Sequence, residues 1–337
     1  MKYLITGGAG LIGSHLAAAL LKEGHEVQVL DNHTSGSPDN IRHLTGCPGF
    51  KNISADIRDY HALEQAIAGC DKVFHLAAVV GVKRVLEQPA ETISTNVTGT
   101  QNVLRLAGIY GKKVLVASSS EVYGKRRKEQ KPLLNEEDDL VSGPPSKLRW
   151  TYACSKVMNE YMARACFEEQ NLPVVITRFF NVVGSGMIPG QYGEYGKVIP
   201  RFIDCAVRGK AVPVYGDGSQ VRSFTHVNDV VKSIMKLMEA KEAEGQVFNV
   251  GNYGAITIRE LAEKIIRFSG SSSSLNYIPF DEIYGGGFEE IPHRSPDLTK
   301  ITELIGYRPR YTINDILHEA IDLYQKGELA YRAVDSL

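Results

Sequence analysis

The stretch TGGAGLIG, Thr6 to Gly13, decides the fold of this 337-residue chain. It sets Gly7, Gly10 and Gly13 at GxxGxxG spacing between the apolar run KYLIT (2–6) and an amphipathic segment, Leu11 to Lys22. Glycine permits a tight turn and a close backbone approach, and the helix that follows points free N–H groups at a pyrophosphate. A glycine trio alone also describes an ordinary strand-to-helix turn. Asp31 adds the second half of the pattern. It follows Gly7 by 24 residues, at the end of EVQVL (26–30), the spacing of a carboxylate that bonds the adenosine ribose hydroxyls. Such a carboxylate repels a 2′-phosphate, so NAD is expected over NADP. This stretch assigns Gly7, Gly10, Leu11, Ile12, Gly13, Asp31 and Asn32 to the cofactor.

Working outward, β-branched runs alternate with helical patterns. KNISA (51–55), KVFHLAA (72–78), KVLVASS (113–119) and PVVITRF (173–179) read as strands, with helical segments near 60–69, 89–109 and 151–169. That rhythm predicts parallel βαβ units: an α/β fold, a Rossmann-type doubly wound parallel sheet with a smaller C-terminal mixed α/β substrate-binding lobe. After Asn181 the rhythm breaks at a glycine-rich loop, GSGMIPGQYGEYG (184–196). The expected division is a cofactor domain over 1–181, with 224–250 returning to it, and a substrate lobe from 182–223 and 251–330.

Composition excludes other classes. With net charge −1 and pI near 6.8, bulk charge draws the chain to neither nucleic acid nor membrane. Five scattered cysteines without CxxC spacing argue against a disulfide framework and a zinc site. No metal is expected. No 18-residue apolar run or signal-like start is present, so a cytoplasmic location is expected.

A second motif, TYACSK (151–156), sets Tyr152 and Lys156 four apart on one helical face. A phenol with its ordinary pKa near 10 is a poor base at neutral pH. A neighbouring ammonium and a cationic nicotinamide both favour the phenolate. The plainer alternative is a half-buried helix carrying a surface lysine.

Together these motifs resemble the extended short-chain dehydrogenase/reductases, the NAD-dependent nucleotide-sugar epimerase/dehydratase family. The resemblance runs through HLAA (75–78), Asn96, the strand end at Ser119, Tyr152-x-x-x-Lys156, RFFNVVG (178–184), VYGDGSQVRSFTHVNDV (214–230) and HRSPDLTK (293–300). It implies that Asp56, Ile57, Leu76, Ala77, Ala78 and Asn96 also serve the cofactor. Ser119 would assist Tyr152, the base, at a sugar hydroxyl, with Asn181 and Arg222 on the nucleotide diphosphate. A UDP-sugar substrate and a homodimer pairing helices near 93–109 and 151–168 are implied in the same way.

The family oxidises the sugar at carbon 4 and then diverges into epimerisation, 4,6-dehydration or decarboxylation. The stretch SSSEVYG (118–124) bears on the choice. Dehydratases resemble it with Asp-Glu before Val-Tyr-Gly, the aspartate expelling water; here that position is Ser120, a poor general acid. Decarboxylases resemble it with Ser-Glu, which gives Glu121 a catalytic role and leaves Ser120 facing the substrate. SGPPSKLRWTYACSK (142–156) and FDEIYGGGFEEIPHRSPDLTK (280–300) are similar to UDP-glucuronate decarboxylases and UDP-apiose/UDP-xylose synthase. They make Arg294 a substrate-site cation for either a sugar carboxylate or the diphosphate.

There are departures. The 184–202 loop lacks the Gly-Pro-Arg common in those decarboxylases. Lys83 and Arg84 suit either the sugar or a solvated helix start. The basic run 124–131 and the acidic run NEEDD (135–139) are expected to be solvated loop, and Cys154 lies off the Tyr152–Lys156 face. Decarboxylation of UDP-glucuronate ranks first and UDP-sugar 4-epimerisation second, with dehydration behind. An NAD-sensing regulator on the same fold is the alternative of a different class; such proteins lose the tyrosine or lysine that this chain keeps.

Overall fold

The computed structural model describes residues 1–125, 133–187, 197–285 and 288–327. Six strands alternate with helices: β1 (Lys2–Thr6), β2 (Glu26–Asp31), β3 (Phe50–Ser54), β4 (Lys72–His75), β5 (Lys113–Ser119) and β6 (Val174–Phe179). Eight more follow, most of them short: β7 (Val182–Val183), β8 (Val212–Tyr215), β9 (Val221–Ser223), β10 (Thr225–His226), β11 (Gln246–Val250), β12 (Ala255–Thr257), β13 (Leu275–Ile278) and β14 (His293–Arg294). Seven of them make one sheet in the order β11-β6-β5-β4-β1-β2-β3, every pairing parallel. The Rossmann-type expectation holds.

Because helices cover both faces, the central strands are apolar on both sides instead of alternating. Tyr3 and Ile5 face a core built with helices Leu11–Lys22 and Val227–Glu239, through Leu16, Leu20, Val230 and Ile234. Leu4, Val114 and Val116 face the opposite core, with Leu63, Leu104 and Ala163 from the helices on that side. The first core continues into Val212, Val214 and Leu261. The later elements are thus packed onto one face of the main sheet. β9 lies between β12 and β14, and β8 pairs with β13.

Strand order reverses between β4 and β1, where a doubly wound sheet opens a crevice at its carboxyl ends. Two local departures from the sequence reading shape it. The run KVFHLAA ends as a strand at His75, which frees Leu76–Ala78 to line the crevice. The segment near 89–109 is not one helix but Pro89–Ile93, a π-turn over Ser94–Thr98, and Gly99–Tyr110. At Gly99 a Cβ would fall 2.2 Å from Ile57 Cδ1, so glycine lets the second helix start against β3's exit.

The acidic run is corrected. Glu136 is buried, because its carboxylate accepts the Asn249 N–H at 2.7 Å, and burial raises its pKa. Most of the basic run 124–131 and the Ile188–Gly196 part of the glycine-rich loop lie outside the described residues.

Candidate active site

The crevice encloses about 450 Å³. At its cofactor end the glycine turn leaves no room for side chains. A Cβ on Gly7 (φ +72°) would sit 2.7 Å from Ala77 N, and one on Gly13 would sit 2.5 Å from Gly7 O. Gly10 begins helix Leu11–Lys22 with no side-chain cap, leaving backbone alone to meet an anion. Asp31 stands at the tip of β2, steadied by the N–H groups of Ala9 (2.9 Å) and His33 (2.8 Å). A bare backbone cradle followed by an acceptor carboxylate fits a dinucleotide.

Of the assigned cofactor residues, Gly7, Gly10, Leu11, Ile12, Gly13, Asp31, Asn32, Ile57, Leu76, Ala77 and Ala78 line the crevice. Asp56 does not. Its carboxylate is spent on Arg58, whose Nε and Nη2 donate at 2.9 and 2.8 Å, and on Asn32 Nδ2 at 2.8 Å. The Arg58 hydrogen bond, outweighing burial, holds its pKa down at about 2. Asn96 is also behind the wall, fully buried in the π-turn. Its Oδ1 accepts from Val79 N (2.8 Å) and its Nδ2 donates to Ser155 Oγ (3.0 Å), so it ties the β4 exit to the helix carrying Tyr152.

That helix spans Trp150–Gln170, and Tyr152 and Lys156 both reach the crevice beside Ser119, the last residue of β5. Lys156 is buried and donates from Nζ to Ala117 O at 2.8 Å. Burial lowers its pKa to about 8, against the opposing charge of Glu160. For Tyr152, burial pushes the phenol up to about 12; the hydrogen bond with Ser119 and the charge of Arg294 pull it down, while Glu121 pushes it up. Cys154 is exposed and meets Ser142 Oγ at 3.2 Å.

Glu121 follows in the 3₁₀ turn Ser120–Tyr123. Its carboxylate lies between two arginines: Arg294 Nη1 donates to Oε1, and Arg149 Nη2 donates to Oε2 at 3.1 Å. Burial works to raise its pKa, but Arg294, Arg149 and Arg222 outweigh that and hold it low. Arg294 Nη1 also reaches Ser120 Oγ at 3.4 Å. Arg222 stands behind the wall on β9, paired with Glu290 at 2.6 Å, its pKa drawn down to about 10 by burial and by Arg294. Asn181, at φ 36°, lines the crevice, with its Nδ2 given to Ser223 O at 2.8 Å.

Arg149 was not singled out in the sequence, yet it lines the crevice and is 8% exposed. One signal was there: an arginine at the start of a helix opposes the helix dipole and needs an anionic partner, which Glu121 supplies. The Lys83/Arg84 pair divides. Arg84 lines the crevice and donates to Thr34 O at 3.1 Å, whereas Lys83 pairs with Glu87 at 3.8 Å.

A model of the NAD dependent epimerase/dehydratase family matches residues 3–251. The chain is 41% identical, over 97% of its length and 98% of the relative's, to UDP-N-acetyl-alpha-D-glucosaminuronate decarboxylase of Bacillus cytotoxicus. It is 33% identical to UDP-glucuronic acid decarboxylase 1 of Danio rerio, over 98% of this chain and 74% of that one. In structure it is similar to a UDP-glucose 4-epimerase of Thermotoga maritima solved with UDP-glucose, with a TM-score of 0.86, 27% identity, and coverage of 97% of this chain and 100% of that one. Matching along nearly its whole length, and carrying the glycine cradle with Ser119, Tyr152 and Lys156 together on its crevice, the chain belongs to the NAD-dependent epimerase/dehydratase family.

Proposed function

We propose that the protein decarboxylates a UDP-linked uronic acid, UDP-glucuronate or its 2-acetamido counterpart, through a 4-keto intermediate. One observation carries the reading. Near Tyr152, Arg149 and Arg294 share the one carboxylate of Glu121, and Arg222 behind them is matched by Glu290, so within this cluster of five groups one positive charge is in excess, which a substrate carboxylate would balance. A neutral sugar brings no carboxylate of its own to balance it. The relatives' names point the same way.

In this reading NAD, when bound, supplies the hydride acceptor at carbon 4 and afterwards returns the hydride. Asp31 holds the adenosine ribose hydroxyls and the Gly7–Gly13 turn the pyrophosphate; Asp56, saturated by Arg58, shapes the adenine end. Tyr152 takes the proton of the 4-hydroxyl, and Ser119 aligns that hydroxyl. Lys156, one helical turn on, favours the phenolate electrostatically. The resulting β-keto acid loses carbon dioxide as its C5–C6 bond breaks, and the enolate left behind takes a proton from water at carbon 5, restoring the 4-ketone that the returning hydride and the Tyr152 proton then reduce. Arg294 pairs with the carboxylate beforehand and faces the negative charge left behind. Ser120 and Asn181 line the sugar path, with Arg222 supporting the substrate side from behind. Glu121, kept anionic by its arginines, anchors them and enters as a proton carrier only when one of them leaves.

Two further parts of the reading concern assembly and location. A homodimer is proposed because Ile93, Ile109, Met158 and Tyr161 are 50–66% exposed on the two helical segments that pair in the family. A cytoplasmic setting is proposed because all five cysteines are free. Among the described residues no helix is long and apolar enough to cross a membrane.

Mass spectrometry of the products from a panel of UDP-glucuronate, its 2-acetamido analogue, UDP-glucose and UDP-N-acetylglucosamine tests the reaction. Loss of carbon dioxide from either acid supports it. Unchanged mass with turnover of a neutral sugar replaces it with 4-epimerisation.

A further inference from the structure

Resting on that reading, we propose that Arg149 is a positioning residue: it keeps Glu121 in place while Arg294 turns from Glu121 to the substrate carboxylate. The two arginines take one carboxylate oxygen each, but they are held very differently. The Arg149 guanidinium lies 4.5 Å from the Trp150 ring centroid and 5.3 Å from that of Phe288. Trp150 is itself fixed by donating Nε1–H to Glu289 Oε2 at 2.8 Å. Arg149 has its Nε and Nη1 buried without a hydrogen-bond partner, so among the described residues its one polar bond is to Glu121. A clamped planar cation with a single bond is a fixture.

Arg294 sits on a two-residue strand that pairs with β9, and no aromatic ring brackets it among the described residues. Its Nη1 is shared between Glu121 and Ser120 Oγ, and its Nε has no hydrogen-bond partner. Unlike Arg149 it is held by no stacked ring among the described residues, and its Nη1 already divides between two acceptors, so it is the arginine that can turn toward a second carboxylate. If both arginines were equally free, an arriving acid would pull Glu121 along with its cations. With Arg149 fixed, Glu121 keeps one charge-assisted bond and Arg294 alone reorients.

The groups facing Glu121 are Arg149 and Tyr152 from the start of the helix, Arg294 from β14, Arg222 from β9, and Ser120 beside it. Among the described residues, removing Arg149 leaves Arg294 as the sole hydrogen-bond partner of the Glu121 carboxylate. Both carboxylate oxygens then compete with the substrate for that one guanidinium.

The test compares Arg149→Met and Arg149→Lys with the parent, each first shown to bind NAD. Carbon-13 NMR of the Glu121 carboxyl, without substrate, reads its titration. Steady-state kinetics with UDP-glucuronate or the acetamido acid, and binding of UDP-glucose, read the consequences. In Arg149→Met the Glu121 midpoint is expected to move upward. KM for the acid should rise roughly tenfold or more, the scale of a lost charge-assisted hydrogen bond, while UDP-glucose affinity stays within about twofold. Arg149→Lys, keeping the charge but not the flat guanidinium, should return the midpoint and recover part of the KM loss. An unchanged Glu121 titration in Arg149→Met, or equal losses for acid and neutral sugar, overturns the proposal. A shifted titration in a protein whose parent decarboxylates neither acid upholds the hold on Glu121 and removes only the reaction.

Discussion

Replacing Arg294 by alanine puts the assigned role of the arginine cluster at risk. Arg294 is 11% exposed at its side chain and bonds a carboxylate that is 19% exposed, so the pair is largely desolvated. Truncating one partner of a buried, hydrogen-bonded charge pair costs about 2–5 kcal/mol. At 1.4 kcal/mol per tenfold, that is a loss of roughly 30- to 4,000-fold in kcat/KM for a UDP-uronic acid. A neutral UDP-sugar makes no use of the lost charge, and its dissociation constant should move by less than about threefold, as expected for a side chain it does not pair with. The charge balance changes with the same substitution, from three arginines against two glutamates to two against two, so the acid meets no excess cation. The assay is carbon dioxide release under kcat/KM conditions, with calorimetry of UDP-glucose and UDP on the same preparation. Equal losses for acid, neutral sugar and UDP would refute the reasoning and make Arg294 a diphosphate ligand.

Tyr152→Phe should lower turnover by about 10²–10⁴, the usual loss when a general base goes, with NAD binding by fluorescence unaltered. Asp31→Ser should narrow the NAD-over-NADP preference in cofactor titrations, since the ribose acceptor and the charge repelling a 2′-phosphate both disappear; equal affinities in the parent would contradict the assignment. Acid stability should fall steeply. Burial lowers the pKa of His15 to about 4 and of His75 to about 3, so below the ordinary 6.5 the unfolded chain binds protons that the folded chain excludes. Each histidine then contributes a slope of about 1.4 kcal/mol per pH unit, fully stabilising above pH 6.5 and lost as pH falls toward 4. Denaturant titrations of His15→Gln should show the slope reduced by about that one-proton amount.

The parallel sheet was legible because its signals are local. A glycine turn, a strand ending in Asp31, and alternation of β-branched and helical runs each lie within about thirty residues. Tyr152, Lys156 and Ser119 were legible through spacing and a strand end. What the sequence hid are the pairings made at long range. Arg58 stands two residues from Asp56, but nothing near it announced that Asn32, 24 positions away, would complete its saturation. Nothing near Arg222 announced Glu290. Glu121 and Arg294 were both singled out, but their mutual bond across 173 positions was not. The π-turn at Ser94–Thr98 escaped because one residue extra per helical turn leaves the polarity pattern of a helix nearly unchanged.

The place of β11 at the sheet edge has a consequence for biosynthesis. Its neighbour β6, VVITRF, is buried along Val174–Arg178 and owes its second hydrogen-bonded partner to a strand that begins 67 positions after Phe179. At the usual pace of translation, the ribosome needs roughly 3–13 s to cover that distance. During those seconds the nascent sheet ends in an apolar strand with a full row of unpaired backbone groups, the kind of edge on which another chain can add. Crowded polysomes are therefore where this protein most needs a chaperone, and a message broken before codon 246 would yield a product whose sticky edge is never closed.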